Sequence, residues 1–164
     1  MGCECWNRQI QEDHRVLDSE RKALKAVLEK PVGLKDLRVH LLQILRSLEP
    51  RMKLHLRREE EVLFPAFEHL LGGGSGVLTL LKDQNDELRA LLDKLSELLW
   101  DRESSSWQNI AETGESLIAL LETHEEKEGR FMVDILESSL QPQQLMDLAR
   151  QFQRVASKLC QEEP

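Results

Sequence analysis

Apolar residues recur along the chain in steps of three and four, the period of a helix with one buried face. Trp107, Ile110, Gly114, Leu117, Leu121, His124, Glu128, Phe131 and Ile135 keep that step without a miss. Leu37, Leu41, Ile44, Leu48 and Met52 lead in the same rhythm to His55, Glu59 and Val62, and Ile10, His14, Leu17, Arg21 and Leu24 form a shorter stripe. Leu81, Asn85, Leu88, Leu92, Leu95 and Leu99 form another, with an amide where an apolar residue would be expected. Breaks rich in Gly, Pro or Ser at 30–33, 72–76, 101–106 and 138–142 divide the chain. The pattern predicts helices over about 5–29, 34–71, 77–100, 107–137 and 143–161. Short connections make neighbouring helices antiparallel. Pro50 predicts a kink, and Pro65 an end or a sharp bend. The expected architecture is all-α: a single domain over 1–164, an antiparallel up-and-down four-helix bundle with an extra C-terminal helix. That last helix carries Leu145, Leu148, Phe152, Val155 and Leu159 on one face, to be buried over the bundle or in a dimer.

Composition narrows the class. With 164 residues the chain can bury one core, and its helix formers Leu, Glu, Lys, Gln and Arg dominate while aromatic residues make up only 4%. A net charge of −8 argues against nucleic acid or an anionic membrane surface as partner, since both need a cationic footprint. No apolar run reaches the roughly 20 residues that span a bilayer. Met1 to Trp6 lacks a basic and then apolar signal segment, so the expected location is cytoplasmic. Gly2 does not make a myristoylation motif, because Trp6 stands where Ser or Thr is needed. Cys3, Cys5 and Cys160 are an odd number and no disulfide framework. Cys3 and Cys5 could chelate a metal or act as exposed redox thiols, although two thiols at a terminus are more often incidental.

The polar residues on the apolar stripes carry the chemistry. His55 with Glu59, and His124 with Glu128, each stand four apart, so both members of a pair share one helix face and can reach a single ion. Two buried carboxylates need something to neutralise them, and a metal does so. Two such pairs on facing helices, with His14, make an oxygen-and-nitrogen set for iron or manganese; zinc is less favoured because no thiolate belongs to the set. The bland readings are a hydrogen-bonded core histidine at His14 and a solvated pair at His55 and Glu59, among Arg57, Arg58, Glu60 and Glu61. His40 and His69 lie too far along the helix from His55 to share its site. The basic run Arg51, Lys53, Arg57 and Arg58 reads as a solvated helix face.

The stretch His55-Leu56-Arg57-Arg58-Glu59-Glu60-Glu61-Val62-Leu63-Phe64-Pro65 resembles the His-x-x-x-Glu-Glu-x-x-Leu-Phe-Pro signature of hemerythrin-like domains, also called HHE cation-binding domains. His124-Glu125-Glu126-Lys127-Glu128 resembles the family's second His-x-x-x-Glu, and Glu12-Asp13-His14 its first-helix histidine. The resemblance implies a bundle enclosing a non-haem di-iron site, two irons per chain with manganese or zinc as alternatives. It implies His14, His55 and His124 as terminal ligands and Glu59 and Glu128 as bridging carboxylates. It further implies binding or sensing of a small diatomic ligand, oxygen or nitric oxide, or of iron itself, in preference to turnover, with no protein partner specified. The third helix departs from the family pattern: Asn85 stands where a ligand histidine is usual. Asn85 through its carbonyl oxygen, and Asp18 four residues after His14, are the candidate substitutes. The rival readings are a metal-free bundle acting as an interaction module and a carboxylate-bridged di-iron oxidase or peroxidase.

Overall fold

Helix follows helix along the described chain, which comprises residues 6–30, 34–101 and 106–162 of a computed structural model. The elements are α1 (Trp6–Leu28), α2 (Leu34–Arg58), the π-helical turn π1 (Glu59–Leu63), α3 (Phe64–Leu71), α4 (Gly76–Trp100), α5 (Trp107–Glu128), a second π-helical turn π2 (Gly129–Val133), α6 (Asp134–Ser139) and α7 (Pro142–Glu162). Cys3 and Cys5 lie outside the described residues, as does the side chain of Cys160. Local chemistry sets the ends. Gly72 adopts φ +71° and Gly73 donates its N–H to the Glu68 carbonyl, closing α3. The Ser106 hydroxyl accepts from the Asn109 N–H at 3.2 Å and starts α5. Buried Arg38 of α2 donates from Nη1 to the carbonyls of Leu98, Leu99 and Asp101, closing the C-terminal end of α4.

The principal helix contacts run α1 to α2, α2 to α4, α4 to α5 and α5 back to α1, which closes a four-helix ring. The seventh helix packs on α1, α2 and π1, so the C-terminal stripe is buried over the bundle. Phe152 of that stripe meets Trp6 edge to face, their ring centroids 6.2 Å apart. The all-helical bundle with an extra C-terminal helix is therefore what the chain forms. No helix among the described residues is long and apolar enough to cross a membrane.

The two π turns correct the sequence reading. In each, the residue after the turn donates its N–H five residues back, Phe64 to Glu59 and Asp134 to Gly129. One extra residue per turn rotates everything downstream by about 100°. Phe131, expected on the buried stripe, is 46% exposed, and Met132 and Leu136 take the inward places that Phe131 and Ile135 would have held. The interruption expected at Pro65 falls just ahead of it, in π1, and Pro65 sits in the first turn of α3, which continues π1 without a break. Pro50 is exposed and α2 runs through it unbroken. A Cβ placed at Gly129, the first residue of π2, would touch nothing within 4 Å.

Two apolar clusters fill the bundle. One, built on Leu17, Leu24, Leu41, Leu48, Leu92 and Leu117, occupies the end away from α7; the other, around Trp6, Phe64, Phe67, Met132 and Phe152, lies beneath α7. The four long helices, α2 continued by π1 and α5 by π2, run from one cluster to the other, and at the crossing each carries its polar residue: His14 in α1, His55 in α2, Asn85 in α4 and His124 in α5.

Candidate metal centre

All but one member of the polar layer is buried. His55 is 1% exposed, and Glu59, Asn85, His124 and Glu128 are 0% exposed. The solvated alternative for His55 and Glu59 is thereby excluded. His14, whose side chain is 21% exposed, is the member that meets solvent. Because His and Glu stand one helical turn apart, each imidazole lies above its own carboxylate and reaches the opposite helix. His124 Nε2 lies 3.0 Å from Glu59 Oε1, and His55 Nε2 lies 3.6 Å from Glu128 Oε2. His14 Nε2 lies 2.6 Å from the same Glu128 oxygen. The His14 and His55 ring centroids are 5.0 Å apart, and those of His55 and His124 are 6.2 Å apart.

Electrostatics follow from that packing. Burial alone would pull the His14 imidazolium down; the hydrogen bond and charge of Glu128, reinforced by Glu125 and Glu59, overcome it and carry its pKa up to about 9. Burial also opposes the charged form of His124, and Glu59 outweighs it, so that imidazole is raised as well. His55 has no hydrogen-bonded carboxylate, and burial, then the charges of His14, His124 and Arg58, hold it well below the usual histidine range. Burial, then the charge of Glu59, push the Glu128 carboxyl up to about 7 against the pull of His14 and His124. The nearby carboxylates thus favour the charged imidazole at His14 and His124, the same charge that a bound cation would balance.

Orphaned atoms test whether a metal fits. Neither ring nitrogen of His55 has a hydrogen-bond partner, and His124 Nδ1, Glu128 Oε1 and Asn85 Oδ1 are likewise buried and unmatched. His55, Glu59, His124 and Glu128 each offer a ligand atom, all within 4.8 Å of one another. Two imidazoles and two carboxylates within that span are a donor set for a divalent first-row cation. Of the two proposed substitutes, Asn85 belongs to the layer, its Nδ2 donating to Glu59 Oε2 at 2.9 Å. Asp18 does not: Lys22 holds it at 2.6 Å and Arg21 binds its other oxygen. His40 and His69 are exposed and apart from the layer.

One residue of this neighbourhood escaped the sequence reading. Arg58 was placed on a solvated face, but it is only 8% exposed, donates from Nη1 to Asp13 at 2.7 and 2.5 Å, and lies 5.4 Å over the Phe152 ring. Burial pushes the Asp13 carboxyl up and Arg58 pulls it back. The signal was present: Arg58 follows His55 by one three-residue step, which puts it on the inward flank of α2.

Against known proteins the chain matches the family model described as the hemerythrin HHE cation binding domain, over residues 7–99 and again over 76–162. It finds no match among curated proteins or solved structures. The first match alone covers more than half of the chain, and it spans His14, His55, Glu59 and Asn85 on their helices. The second spans His124 and Glu128. With the closed four-helix ring and its buried layer of paired imidazoles and carboxylates, the chain belongs to the hemerythrin HHE cation-binding family.

Proposed function

We propose that this domain binds iron in its polar layer and serves in binding or sensing oxygen, nitric oxide or iron itself, in preference to turnover. The observation that carries the reading is the buried meeting of two His-x-x-x-Glu pairs from facing helices, with imidazole nitrogens left unmatched. A mixed nitrogen and carboxylate set without thiolate suits iron or manganese over zinc. His14, His55 and His124 would hold the ion through nitrogen, and Glu59 and Glu128 through oxygen. Bound there, iron supplies a redox-active Lewis acid able to take a small diatomic ligand. The chain's own part is to keep two carboxylates and three imidazoles converged, and to exclude bulk water with Leu17 and Leu56 on one side and Ile10 and Met132 on the other. Access at the partly exposed His14 edge suits a ligand of a few atoms.

The test is elemental analysis for iron, manganese and zinc on protein purified without tag or chelator, with absorption spectra under nitrogen, after air and after nitric oxide. Iron should be retained and its spectrum should respond to at least one gas. Changing Glu59 and Glu128 together to Ala should abolish the iron content, whereas changing His40 and His69 together to Ala should leave it intact. No metal after anaerobic iron loading, or equal loss from both variants, would overturn the reading and leave an interaction bundle. Sustained turnover with peroxide would place the domain with the oxidases or peroxidases instead.

A further inference from the structure

The polar layer is built as two halves, each made of one pair's carboxylate, the opposite pair's imidazole and one side chain from a flanking helix. His124 and Glu128 follow His55 and Glu59 at one common spacing along the chain, and each pair stands at the entrance of a π turn. The pairs cross: His55 faces Glu128, and His124 faces Glu59. A flanking helix then adds one side chain to each carboxylate. His14 of α1 reaches Glu128 Oε2 at 2.6 Å, and Asn85 of α4 reaches Glu59 Oε2 at 2.9 Å. One half is therefore His14, His55 and Glu128, and the other is Asn85, His124 and Glu59.

The odd member changes the chemistry of its half. An imidazole can give up a proton and offer a lone pair, whereas the amide nitrogen of Asn85 only donates. Asn85 Nδ2 also points at Glu60 Oε1, 3.3 Å away, and Arg89 grips both Glu60 oxygens at 2.7 Å. The reverse orientation would set the amide oxygen against two carboxylates, so the charges of Glu59 and Glu60 impose the donating one. An N–H therefore occupies the Glu59 oxygen whose counterpart on Glu128 meets an imidazole. Resting on the iron-binding reading above, we propose that the centre is lopsided. The His14 half holds one ion tightly, His124 and Glu59 lie close enough to complete its shell, and Asn85, braced by Glu60 and Arg89, keeps the other half from holding a second.

Ferrous iron is added under nitrogen to metal-free protein, unbound ion is removed by desalting, and iron per chain is counted beside a calorimetric titration. The unchanged chain should retain about one iron, and Asn85→His about two, because it restores the missing imidazole. Asn85→Asp, the same size as Asn, replaces the donating N–H with a carboxylate oxygen beside Glu59 and Glu60, a cluster that a cation would balance, and should also gain an ion. His14→Asn makes both halves alike in the other direction and should weaken the first ion by about tenfold or more. Two tightly held irons in the unchanged chain would overturn the proposal while leaving the iron reading standing. No iron in any variant would overturn the iron reading itself. One iron in both Asn85 variants, each helical by circular dichroism, would overturn the role assigned to Asn85, as would full affinity in His14→Asn.

Discussion

Arg58 shows how far a single side chain can depart from its neighbours in the sequence. Arg51 and Lys53 are exposed and Arg57 pairs with Glu61 on the solvent side, as a charged helix face should. Arg58 instead binds Asp13 between α1 and α2 with Phe152 of α7 over its guanidinium. A buried pair adds little net stability, yet breaking it from one side strands the partner. Arg58→Met should therefore cost about 3 kcal/mol in urea unfolding, because Asp13 loses its counter-charge in a buried site. Adding Asp13→Asn should recover most of that loss. A cost below about 1 kcal/mol for the single change would mean the pair behaves as a surface ion pair. Other residues were legible beforehand for a simple reason. His14, His55, Glu59, His124 and Glu128 each replaced an apolar residue at a three-or-four step, and the structure brings all five into one layer. Arg58 was not, because its neighbours on both sides are charged and the run has one evident explanation.

At the scale of elements, the π turns are where periodicity misled. A register change is visible only when the shift moves a polar residue onto the stripe, and here it does not. Phe131 and Met132 are both apolar, so the stripe reads equally well through either, and Val62, Leu63 and Phe64 hide the step in π1 in the same way. The structure separates them: Phe131 is 46% exposed and Met132 is 0% exposed. Phe131 behaves as the inserted residue of π2, and its removal would set Met132 and Leu136 three and seven places after Glu128, the spacing of an unbroken α-helix. Deleting Phe131 should accordingly leave the thermal midpoint within a few degrees of the unchanged chain. Deleting Glu122 should not, since it rotates His124 and Glu128 by about 100° relative to the preceding turns. Metal content and circular-dichroism melts on the two deletions check this, and equal damage from both would show that the π turn itself is needed.

The whole molecule is two apolar cores joined through a charged layer. Such a layer is costly unless every charge is matched. Hydrogen bonds from His14 to Glu128, and from His124 and Asn85 to Glu59, match most of it without a metal. The unmatched atoms on His55, His124 and Glu128 mark what remains to be gained. The metal-free chain should therefore stay folded, with unchanged far-ultraviolet circular dichroism, but melt earlier than the loaded one. Binding to the folded state alone adds about 2.7 kcal/mol when the free ion stands at a hundred times its dissociation constant. For a chain of this size each kcal/mol moves the midpoint by about 2–4 °C, so loading should raise it by about 5–10 °C and chelation should reverse the gain. The rise should grow with ion concentration and vanish when Glu59 and Glu128 are both Ala. A concentration-dependent rise that persists in that double variant would put the stabilising ion elsewhere, and the polar layer would then be a hydrogen-bonded seam between two cores.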